Sequence, residues 1–229
     1  MDGLQSIIAI QVNENLYNKN PETSTLGKKI IENSILLVHE IGIENFTFKK
    51  LGTLIGSNES SIYRYFENKH KLLLYLSSWY WSWIEYQLVF NTLSIFDPIE
   101  KIEKSIEILT KPISNDQNYQ HINEILLNKI VINEFSKSYL TKKVDAENKE
   151  GYFSVFKRLN TRIKEMIVAV NPSYPYPLSL ASTILEATLH QSFLKEHFSS
   201  ITDCTSAIEI KNFLMHLLKT TLNNEHNGK

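Results

Sequence analysis

Residues 58–69 read NESSIYRYFENK, which crowds two serines, two tyrosines, an arginine and a lysine into one short run. These side chains bring hydroxyl, guanidinium and ammonium donors, which suit phosphate oxygens and base edges rather than covalent chemistry. Ser60 and Ser61, with Asn58 and Glu59, form a first helical turn whose short side chains let the backbone approach a base edge closely. Tyr63, Arg64 and Tyr65 are expected to fan outward toward phosphates, while Ile62 and Phe66, four apart, anchor the helix inward. Lys69 places an ammonium at the start of the next helix, where free N–H groups already favour an anion. Thr47 with Lys49 and Lys50 repeats that pattern upstream. Glu59 is repelled by phosphate but can accept from a cytosine amino group. The bland alternative is an ordinary mixed helix surface.

Other chemistry has little support in the sequence. The seven histidines are scattered. Glu186 and His190 are four apart, and His121 and Glu124 three apart, but neither pair matches the paired Glu-x-x-His pattern of a metal-binding bundle. Zinc-protease, nucleophile-elbow and Gly-rich phosphate motifs are missing. Cys204 is the one cysteine, so an internal disulfide and a cysteine-built zinc site are ruled out. We expect no catalytic residue, no metal and no cofactor. The formal charge of −1 means that nucleic-acid binding must rest on local geometry, not bulk basicity.

The elements that must position these residues read as helices almost throughout, so the expected class is all-α. Apolar positions of the first helix, from Leu26, end at Gly42. Thr47 can cap a second helix that ends at Gly56, Asn58 a third, and Asn68 a long fourth. Further helices are expected over 99–110, 119–134, 149–170, 177–198 and 205–222. Only IIAIQV (7–12) hints at a strand. The expected organisation is an N-terminal extension (1–25), a helix-turn-helix head (26–73) and a larger helical part (74–229). The extension either packs on the body or stays mobile. No apolar run reaches membrane-spanning length, so no membrane partner is expected, and a cytoplasmic location fits the single cysteine.

The run LGKKIIENSILLVHEIGIENFTFKKLGTLIGSNESSIYRYFENKHKLL (26–73) resembles the DNA-binding module of TetR-type (TetR/AcrR-like) transcriptional regulators. The features that carry the likeness are Gly42, Phe46-Thr47, Leu51-Gly52, Gly56, the Ile62-Tyr63-Arg64-Tyr65-Phe66 run and Lys69. Gly52, Ser57 and Glu59 depart from the usual residues. The resemblance implies a homodimer on a two-fold double-stranded DNA operator, most often a repressor, released when a small molecule binds the C-terminal helices. Carried over by position, Thr47, Ser60, Tyr63, Tyr65 and Lys69 would meet the DNA backbone. Lys49, Glu59, Ser61 and Arg64 would meet base edges.

For the C-terminal part the residues speak alone. SSWYWSWIEYQLVF (77–90) holds all three tryptophans of the chain. Trp79, Trp83 and Tyr86 are either core or an aromatic wall for an apolar or cationic effector. Ala181, Leu185, Thr188, Leu189 and Ser192 form a face small enough for close helix pairing across a dimer, or else pack within the chain. The competing reading of the whole is a helical small-molecule-binding or scaffold protein whose head no longer binds DNA.

Overall fold

In the N-terminal part, local signals start the helices where the sequence places them. The computed structural model describes residues 10–223, and every regular element among them is helical. The longer helices are α1 (Thr25–Asn45), α2 (Phe48–Ile55), α3 (Glu59–Tyr63), α4 (Lys69–Thr92), α5 (Pro98–Thr110), α6 (Glu124–Tyr139), α7 (Val144–Lys149), α8 (Ser154–Val170), α9 (Pro177–His197) and α10 (Ala207–Asn223). Gly42 breaks α1 at φ 72°, and Gly56 closes α2 in the left-handed region at φ 66°. Of the strand suggested at 7–12, residues 7–9 lie outside the described residues and 10–12 carry no regular structure.

The sixth helix begins at Glu124 rather than at 119, because Tyr119 closes a separate 3-10 turn (Gln117–Tyr119) and Asn123 caps the helix through Leu126 N. The expected helix over 149–170 starts later, at Ser154, and α7 precedes it unannounced. The six residues of α7 carry no apolar period.

The chain divides into two compact units, Met1–Trp83 with Ile113–Ser154, and Ile84–Pro112 with Val155–Lys229. In the first, α1 packs against α2 and α6, and α2 against α3. Its core includes Ile30, Ile35, Leu51, Ile62, Phe66, Trp79 and Leu127, all nearly inaccessible. In the second, α10 packs on α5 and α9. There Arg158 and Arg162 converge on the buried Glu85, donating at 2.7 and 2.8 Å. Burial pushes the Glu85 carboxyl up, but the two guanidiniums outweigh it and hold it below its ordinary value.

Glu124, wholly buried at the start of α6, has the opposite balance. One of its oxygens accepts from Asp116 N at 3.3 Å and the other has no hydrogen-bond partner. Burial raises its carboxyl from 4.5 to about 7, against the opposing pull of backbone N–H bonds. The folded chain therefore holds this proton more tightly than the unfolded chain. The stability this adds is complete below pH 4.5 and is lost as pH rises toward 7. Glu124→Gln cannot ionise and should escape the loss. Between pH 5 and 8 the parent should lose on the order of 2 kcal/mol more unfolding free energy than the variant, as read by urea titration.

Candidate nucleic-acid interface

Side-chain caps start the helices of the head. Thr47 Oγ1 accepts from Lys50 N at 3.2 Å, starting α2. Asn58 Oδ1 accepts from Ser61 N at 2.8 Å and from the Ser61 hydroxyl at 2.7 Å, starting α3. Asn68 Oδ1 accepts from Lys71 N at 2.9 Å at the start of α4. Between α2 and α3 the turn is tight: Ser57 N donates to Gly52 O at 2.9 Å. A Cβ at position 52 would lie 2.8 Å from the Ser57 carbonyl oxygen. The glycine that departs from the usual residue there is what this turn requires.

Three lysines of the head serve its own helix ends. Lys29 Nζ donates to Ile55 O at 2.8 Å, at the end of α2. Lys50 Nζ donates to Asn45 O at 2.9 Å, at the end of α1. Lys69 Nζ donates to Ile43 O and Glu44 O at 2.9 Å and to Phe46 O at 3.4 Å. Cations at helix C-termini satisfy orphan carbonyls and complement the negative end of the dipole. Sequence reasoning aimed Lys69 at phosphate, whereas its ammonium is occupied by three carbonyls inside the head.

Tyr65 also departs from expectation. It is 3% exposed, and its hydroxyl lies 2.8 Å from Ser24 Oγ. The cause is geometric: α3 stops at Tyr63, so Tyr65 stands in the following turn and swings inward instead of fanning out. The Ser24 hydrogen bond lowers its phenol, against burial, with help from Lys19.

What remains on the surface is a narrower set. Thr47, Lys49, Ser60, Tyr63 and Arg64 are exposed, and Glu59 and Ser61 half-buried. The side chains of Lys49, Ser60 and Arg64 and the Tyr63 hydroxyl have no hydrogen-bond partner among the described residues. The Tyr63 ring stands edge-on to Phe48 at 4.9 Å, which fixes its direction. One guanidinium, one ammonium and several hydroxyls thus stand ready along α2 and α3. The Thr47 oxygen accepts its cap bond while its proton stays available to donate.

Most of the remaining candidates turn inward. Trp79, 1% exposed, packs edge-on to Tyr119 at 5.2 Å, and Trp83, 4% exposed, lies 6.3 Å from Tyr80. Tyr86 is half-buried beside Phe90 at 5.9 Å. These tryptophans are core side chains of the first unit. Ala181, Leu185, Thr188 and Leu189 are buried within their own chain, and Ser192 spends its hydroxyl on Thr188 O. The face expected to pair with a second copy is used by α9 against its neighbours, because small and apolar residues serve either packing equally well. Among the described residues, no group of three metal-ligating side chains converges.

The all-helical chain, with a helix-turn-helix at its head, has the fold of solved TetR-type regulators. Among solved structures the chain is similar to FadR, the fatty acid degradation regulator of Bacillus halodurans. That match has 14% identity and a TM-score of 0.59, covering 86% of this chain and 95% of that one. It is similar to AibR in complex with isovaleryl coenzyme A and operator DNA, at 15% identity and a TM-score of 0.56 over 82% and 95% of the two chains. A Mesorhizobium loti protein assigned to the TetR family matches at 15% identity and a TM-score of 0.53, over 89% and 97%. No protein-family model and no curated protein matches the sequence. At these identities the likeness establishes the fold.

Proposed function

We propose that this chain is a DNA-binding transcriptional regulator that acts as a homodimer on a two-fold operator and is released by a small-molecule effector. Residues 26–73 form its reading head, and residues 74–229 carry effector binding and dimerisation. The observation that carries the reading is the exposed, unpartnered set Lys49, Ser60, Tyr63 and Arg64 on α2 and α3, against Lys29, Lys50 and Lys69 spent on carbonyls. Their grouping on one element pair suits phosphate oxygens and base edges. A second copy would pair through the outer sides of α9 and α10, where Leu178, Ile208 and Phe213 are exposed. No helix among the described residues is long and apolar enough to cross a membrane. A cytoplasmic, non-catalytic protein fits this role. AibR is named with an acyl thioester, so acyl-coenzyme A compounds are the first effector class to screen.

Selecting bound duplexes from a random pool tests the proposal. Two inverted half-sites about 34 Å apart are expected, because two heads must meet successive major grooves. Tyr63→Ala should weaken binding to all selected duplexes alike, as phosphate contacts do. A pool that yields no retained duplex at low ionic strength would favour the scaffold reading. Sedimentation at micromolar concentration should show a dimer.

A further inference from the structure

We propose that residues 13–24, which precede the reading head, form a brace that sets the pose of the recognition helix, with Asn18 as its positioning residue. The inference rests on the DNA-binding reading above. Helix α3 has five residues, too few to hold its own geometry; its Ile62 carbonyl accepts from Tyr65 N and Phe66 N, but Tyr63 O and Tyr65 O, in the turn that follows, take partners from the preceding segment. Asn18 binds both, one at the end of α3 and one in the turn after it. Its backbone N–H donates to Tyr65 O at 2.7 Å, and its side-chain amide donates to Tyr63 O at 3.1 Å. Ser24 holds the Tyr65 hydroxyl, and Lys19 Nζ lies 5.1 Å from the centre of that ring. Tyr63 and Arg64, two of the exposed donors, are therefore flanked by braced carbonyls on the same turn.

The brace is itself fixed at several points. Leu16 is fully buried. Asn13 and Asn15 donate through their side-chain amides to Glu150 O, at 3.2 and 3.4 Å. Glu22 accepts from Tyr75 at 3.2 Å and pairs with His121 at 2.8 Å. Pro21 lies so close to α1 that a Cβ on Gly27 would fall 2.1 Å from its carbonyl oxygen. Position 27 thus admits the brace only as glycine. A segment tied to α1, to α4 and to the residues around α6 and α7 is a rigid reference for α3, and small errors in a reading helix's pose cost contacts it makes with DNA.

The test uses the full chain and the duplexes retained from the random pool. Asn18→Ala and Gly27→Ala, one removing a bond and the other crowding Pro21, should each weaken binding roughly five- to tenfold. The slope of binding against salt should stay at the parent value, since no phosphate contact is lost. Amide exchange at Tyr65 and Phe66 should quicken, while the global unfolding midpoint of Asn18→Ala stays near the parent's. Parent affinity together with parent exchange in both variants would overturn the brace. So would an affinity loss that merely tracks a matching loss of global stability. If the parent chain retains no duplex, the DNA-binding reading fails. The exchange rates at Tyr65 and Phe66 then decide the brace by themselves.

Discussion

Lys69→Met should lower the unfolding free energy by about 2–4 kcal/mol while leaving the salt dependence of operator binding unchanged. The ammonium of Lys69 donates to Ile43 O, Glu44 O and Phe46 O. Methionine keeps the length and apolar stem of the side chain but offers no donor, so three carbonyls at the kinked end of α1 lose their partner. Leaving such groups unsatisfied costs more than making the bonds gains. A residue that touched phosphate would behave differently: its loss would reduce the salt slope by about one and spare stability. Denaturant titration beside binding at three salt concentrations separates the two. A reduced slope with unchanged stability would return Lys69 to the DNA surface.

Phe66→Ala should cost about 3–5 kcal/mol and abolish cooperative unfolding of the head at 37 °C. The ring is fully buried and meets Tyr75 edge-on at 5.3 Å, while Phe66 N donates to Ile62 O at 3.1 Å. Truncation leaves a cavity beside Tyr75, where the recognition turn meets α4. Tyr63→Ala, on the open side of the same segment, removes a ring that is 48% exposed and should cost under 1 kcal/mol. Calorimetry of the two variants checks the contrast. Equal destabilisation would mean that the recognition helix faces the other way.

The helix starts and stops of the head were legible in the sequence because their causes are local. Thr47, Asn58 and Asn68 each bond an amide three residues on, and Gly42 and Gly56 supply positive φ at the ends they close. The roles of Tyr65 and Lys69 were not legible, since the partners that claim them sit 41 and about 25 residues away. The same holds for the segment before α1. Its polar side chains bond carbonyls up to 137 residues distant, and such pairings leave no periodic trace. Helix α7 escaped for a related reason: a six-residue charged stretch has no apolar face to reveal it. On α9 the periodicity was correct but ambiguous. Ala181 and Leu185 mark a packed face in either case, and only the neighbouring α10 shows that the packing lies within the chain.

The most direct test of the reading face is the discrimination of Arg64→Ala between a selected duplex and the same bases scrambled, at one fixed salt concentration. The parent chain should prefer the selected duplex by several orders of magnitude, and the variant's preference should fall at least tenfold, as the loss of one guanidinium contact to a base edge demands. An unchanged ratio would remove Arg64 from the reading face. A parent chain that binds both duplexes equally would contradict sequence reading by this head altogether.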